Sequence, residues 1–187
     1  MDNNPLGKKK KELMEYFYDD PIREYHIREL AKITDKSPTT ISKMLKILVN
    51  KGILLQEEKL NHILFRANTD NKHYKISKLA YNLQRLEDSG VISYLENYYE
   101  TPEAIVLFGS WSRADDVKES DIDILVVSAE KKLAELKAYE KKLSREVQLF
   151  VHTKNEMKKL VKTNKELLNS WANGIVLRGF LEVLYEY

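Results

Sequence analysis

Residues 108–125 read Phe-Gly-Ser-Trp-Ser-Arg-Ala-Asp-Asp-Val-Lys-Glu-Ser-Asp-Ile-Asp-Ile-Leu, with a Gly-Ser pair closing one apolar run and Asp-Ile-Asp opening the next. A glycine directly after a buried strand, at the mouth of a helix, lets the backbone approach an anion, and the helix start offers free N–H groups. Ser110 adds a hydroxyl to the same anion. Residues 111–120 leave room for a helical turn or two and a return to the sheet. Residues i and i+2 of a strand share a face, so Asp121 and Asp123 project together while Ile122, Ile124 and Val126 pack inward. Neighbouring carboxylates repel unless a cation sits between them, and oxygen ligands of this kind favour Mg²⁺ or Mn²⁺.

The 187 residues suffice for one large domain or two small ones, and 43% hydrophobic with 32% charged residues describes a globular chain. No apolar run reaches the roughly 18 residues of a membrane span. The N-terminus is polar and then basic (Lys8 to Lys11) without an apolar signal core, so no membrane role and a cytoplasmic location are expected. The absence of cysteine excludes disulfides and thiolate metal sites. His26, His62, His73 and His152 are scattered, with no pair at zinc-ligand spacing. A net charge of +2 does not by itself imply a nucleic-acid partner, but the stretch from Lys36 to Gln56 carries four lysines and no acid.

Residues 8–68 follow a helix, helix, helix, hairpin pattern. The spacing predicts helices over Lys8–Tyr18 and His26–Ile33, then a third after Ser37, a good N-cap, with Pro38 at the first helical position. Ile41, Met44, Leu45 and Leu48 make its apolar stripe, and Gly52 ends it. Strands are predicted over Ile53–Glu57 and Ile63–Ala67. This order, with Ser37-Pro38-Thr39-Thr40-Ile41-Ser42-Lys43-Met44-Leu45-Lys46 leading the third helix, resembles the recognition helix of the winged helix-turn-helix family. The resemblance implies that Thr39, Thr40, Ser42, Lys43 and Lys46 face DNA phosphates and base edges. The rival reading is an ordinary polar helix face in a domain that mediates protein contacts. The wing is mixed in charge (Glu57, Glu58, Lys59, His62, Arg66), not a basic finger.

Residues 70–100 read as a helical connector, with Ile76, Leu79, Leu83 and Leu86 on one stripe and Gly90 interrupting it before Val91, Tyr94, Leu95 and Tyr98. Beyond Pro102, strands are predicted at Ala104–Phe108, Ile122–Val127 and Val147–Val151, helices at Ala129–Leu143 and Glu156–Ser170, and an edge strand or hairpin over 174–184. The expectation is an α+β chain in three parts: a winged helix-turn-helix over 1–69, a connector over 70–100, and a small mixed β-sheet with helices over 101–187.

Hydrophobic, Gly109-Ser110, a ten-residue gap, then Asp121-Ile122-Asp123-Ile124, with Arg113 and Ser120 between, resembles the minimal nucleotidyltransferases of the DNA polymerase beta superfamily, including archaeal forms with an N-terminal winged helix. The resemblance implies transfer of a nucleoside monophosphate from an NTP, ATP foremost, to a protein or small-molecule acceptor. Asp121 and Asp123 would hold Mg²⁺ or Mn²⁺. Gly109 and Ser110 would bind phosphates, with Arg113 and Ser120 nearby. A separate protein partner or a homodimer is also implied.

The chain departs from that pattern at the third acid. The corresponding strand reads Glu146-Val147-Gln148-Leu149, and Gln148 can neither charge-balance a metal nor act as a base. Glu146 lies on the same face, about 6–7 Å away along the strand. Ala114 stands where many members have glycine. The alternative is therefore a catalytically impaired, nucleotidyltransferase-like protein acting as a DNA-binding regulator or interaction module. Trp111 is expected either to cover a base or ribose or to cap the sheet, Arg113 to meet phosphate or to pair with Asp115 or Asp116, and those two acids to cap the loop.

Overall fold

The computed structural model describes residues 12–182, and they fall into two compact units that divide between Tyr74 and Lys75. Lys8 to Lys11 and Val183-Leu184 lie outside the described residues. Among the described residues, no helix is long and apolar enough to cross a membrane.

The first unit holds α1 (Leu13–Asp19), a two-residue β1 (Tyr25–His26), α2 (Ile27–Thr34), α3 (Pro38–Asn50), β2 (Leu54–Lys59) and β3 (His62–Ala67). The β strands order β1-β3-β2, all antiparallel. Short β1 escaped the sequence reading because two residues carry no periodicity; Tyr25 and His26 are extended only through pairing with Phe65 and Leu64. Ser37 caps α3 by accepting the Thr40 N–H at 3.1 Å, worth about 1 kcal/mol, and Pro38 follows at the first turn. Leu13, Phe17, Leu30, Ile41, Leu45, Leu54 and Phe65 form the core, and the buried Tyr74 hydroxyl donates to the Phe17 carbonyl at 2.8 Å.

Helix α4 (Lys72–Ser89) spans the division, and Gly90, at φ +81, separates it from α5 (Val91–Tyr98). The second unit continues with β4 (Ala104–Phe108), α6 (Gly109–Arg113), β5 (Ile122–Val127), α7 (Lys137–Leu143), β6 (Val147–His152), α8 (Lys154–Thr163), α9 (Lys165–Ala172) and β7 (Ile175–Gly179). Its sheet runs β6-β5-β4-β7, with β5 and β6 parallel and the other pairs antiparallel. One face packs Ile105, Leu107, Ile122, Ile124 and Val126 against Leu86, Ile92 and Leu95; the other packs Val106, Phe108 and Leu125 against Met157, Leu168 and Trp171.

Four predicted elements differ, the first being the edge strand or hairpin over 174–184, of which β7 covers Ile175–Gly179 and residues 180–182 are not strand. Helix α7 starts at Lys137, not Ala129, because tertiary contacts capture the preceding backbone: the Tyr98 and Tyr99 hydroxyls donate to the carbonyls of Leu133 and Lys132 at 3.0 and 2.5 Å. The single helix over 156–170 is two, α8 and α9, broken where Asn164 leaves helical geometry and its side chain caps Leu167 N–H at 3.1 Å. On α4, Ile76 is exposed; the buried line in the second unit instead runs through Lys78, Asn82, Leu86 and Ser89.

Candidate nucleotide site and recognition helix

Fully buried β4 delivers the chain to Gly109, which opens α6 at φ +71. That left-handed backbone suits glycine, and a second constraint acts at the same residue: a Cβ would collide with the Asp123 carboxylate. Asp123, paired across β4 and β5 with Phe108, therefore lies directly over the Gly109 backbone. Asp121 and Asp123 are both half-buried and close enough to interact. Burial first, and then the Asp121 charge, hold the Asp123 carboxyl above its ordinary range, while Arg113 pulls it the other way. A carboxylate pair strained in this direction fits a divalent cation, which would relieve both effects.

On the neighbouring parallel strand Gln148 lies in register with Asp123, and its Nε2 donates to Asp121 Oδ2 at 2.6 Å. Glu146 is exposed, and its backbone carbonyl accepts the Ile122 N–H at 2.9 Å. Among the described residues, no three His, Cys, Asp or Glu side chains converge as a metal cluster, so Glu146 does not make up for the missing third acid.

Arg113 is exposed, with Nε 3.3 Å from Asp115 Oδ2. Ser110 is half-buried at the first turn of α6. The Ser120 hydroxyl accepts the Val117 N–H at 2.9 Å, closing the turn before β5. Ala114 ends α6 at φ +56, the conformation that explains why glycine suits this position. Trp111 is fully buried in the core, so it caps the sheet and covers no base or ribose.

Asp115 and Asp116 are not simple loop caps. Asp115 pairs with Lys75 at 2.7 Å as well as with Arg113, and the Lys75 hydrogen bond holds its carboxyl below the usual range. Asp116 is buried and pairs with the fully buried Lys78 at 3.2 Å; Lys78 also donates to the Asp116 carbonyl. Asn82 donates to Asp116 Oδ1 at 2.8 Å and to the Trp111 carbonyl at 3.2 Å. These α4 residues hold the loop between the Gly109 turn and Asp121, and sequence reasoning missed them. One signal was available: 74, 78, 82 and 86 form an i, i+4 row in which Lys78 and Asn82 continue the buried line from Tyr74 to Leu86.

In the first unit, Thr39, Lys43 and Lys46 are exposed on one side of α3, and Ser42 is half-buried. The Thr40 hydroxyl lies 2.8 Å from that of Ser37, within the helix cap. Lys59 of the β2–β3 hairpin pairs with Glu24 at 2.6 Å and Glu57 at 3.4 Å, so the wing's lysine is already matched by acids.

Residues 90–177 match the family described as Polymerase beta, Nucleotidyltransferase, and residues 6–104, over half the chain, match Penicillinase repressor. No curated protein matches the chain. The chain belongs to the penicillinase repressor family through its winged helix, fused to a nucleotidyltransferase domain of the polymerase beta type.

Proposed function

We propose that the protein is a cytoplasmic DNA-binding regulator whose second domain takes up a nucleoside triphosphate with its divalent cation and does not transfer the nucleotidyl group. The observation that carries this reading is Gln148, opposite Asp123 and bonded to Asp121 at 2.6 Å, where a third carboxylate would otherwise stand. The cation, when bound, would neutralise triphosphate charge. Asp121 and Asp123 would hold it, Gly109 and Ser110 would meet the phosphates with backbone N–H groups and a hydroxyl, and Arg113 would exchange Asp115 for phosphate. Activating an acceptor hydroxyl requires a base or a further metal contact, and an amide supplies neither. The penicillinase repressor match and the exposed Lys43 and Lys46 support DNA as the first domain's partner.

The test incubates the full chain with Mg²⁺ and α-labelled NTPs, alone and with cell lysate. Retained but non-covalent label is the expected result. Covalent label that Asp121→Ala abolishes would replace this reading with a working nucleotidyltransferase. For the DNA half, Lys43→Ala/Lys46→Ala should weaken binding to a duplex oligonucleotide. It should also make the slope of log K against log salt shallower by about 2, since each phosphate contact contributes about 0.9. An unchanged slope removes α3 from the interface.

A further inference from the structure

The two carboxylates of the nucleotide site are pinned in different directions. Asp123 Oδ2 faces the Gly109 backbone, and Asp121 Oδ2 faces β6, where it receives the Gln148 amide. A carboxylate only accepts, so the group facing it must be the Gln148 NH₂, with the positive end of its dipole toward Asp121. A cation approaching from β6 would meet that positive end and no opposing acid. Glu146 is exposed and outside any three-acid cluster, and Glu140, the other acid near the start of β6, already accepts the Val147 N–H at 3.0 Å.

We propose that Gln148 is a positioning residue that takes the place of a second cation. Its amide offsets charge on the β6 side of Asp121 and leaves one seat, which Asp121 and Asp123 would share, for the single divalent ion that accompanies a nucleoside triphosphate. This rests on the nucleotide-binding reading above and adds a stoichiometry to it. Gln148 is exposed on its strand, so an isosteric exchange there leaves the core packing alone.

The experiment titrates Mn²⁺ into the full chain saturated with α,β-methylene ATP and follows free Mn²⁺ by electron paramagnetic resonance, beside nucleotide binding measured separately. The parent should bind one Mn²⁺ per chain. Gln148→Glu, which keeps the shape and replaces the amide with a carboxylate, should bind two. Asp121→Asn should weaken the parent's single site by roughly tenfold or more. A merely structural glutamine would alter melting temperature without altering stoichiometry. Two Mn²⁺ on the parent, or one on a folded Gln148→Glu, overturns the inference while the nucleotide-binding reading stands. Failure of the parent to bind either nucleotide or Mn²⁺ overturns both.

Discussion

At Asp123 a half-buried carboxyl beside a second one works against stability. Its carboxyl is held above 3.8 by burial and by Asp121. The folded protein therefore binds that proton more tightly than the unfolded chain, and stability falls as pH rises from 3.8 through the raised value. Asp123→Asn removes the effect. In chelator at pH 7 the variant should melt above the parent, and the difference should vanish below pH 3.8. Differential scanning calorimetry across pH checks this, and a variant that melts lower at pH 7 contradicts it. Asp121 and Asp123 were legible in the sequence because alternation along a strand fixes which residues share a face. The donor bonded to Asp121 was not, since Gln148 is 27 residues away and reaches it only through a parallel pairing.

Single elements carry two further expectations. Helix α8 begins with a capping box in which Thr153 and Glu156 satisfy each other's backbone groups. A hydrogen bond from Lys131, then the Thr153 N–H, draws the Glu156 carboxyl down to about 2. A depressed carboxyl contributes stability above its ordinary 4.5 that is lost as pH falls toward about 2. Glu156→Gln should therefore flatten the melting-temperature profile between those values, and an unaltered profile would dismiss the box as a source of acid sensitivity. Helix α4 behaves differently because its polar pair is buried. Asp116→Ala strips Lys78 of its carboxylate and should cost about 3–5 kcal/mol by urea denaturation. Lys78→Met/Asp116→Leu should recover most of that loss, and equal loss in both variants would deny the pair its role. Helix and strand positions were mostly readable from periodicity. The failures at 129–136 and Asn164 are places where tyrosine hydroxyls or a side-chain cap took over backbone groups that periodicity assigns to a helix.

At the scale of the whole molecule, each unit has its own apolar core: Leu45 belongs to the first and Ile124 to the second. Truncating either to alanine should cost about 2–5 kcal/mol in its own unit. Leu45→Ala should impair DNA binding with nucleotide binding retained, and Ile124→Ala the reverse; joint loss of both activities in either variant would show one cooperative body. The fused architecture was legible because each part carries its own local pattern. The frame of Lys75, Lys78 and Asn82 was largely hidden, as it depends on contacts 29 to 40 residues apart.

The unequal burial of these groups has an evolutionary consequence. Changing Asp116 or Lys78 alone removes one half of a buried ion pair, a costly single step. Gln148 stands in the open, where one substitution need not pass through an unstable ancestor. On the proposed reading, a lineage could move between turning over a nucleotide and merely binding it by a change at that single position, with the buried Lys78–Asp116 pair left as it is.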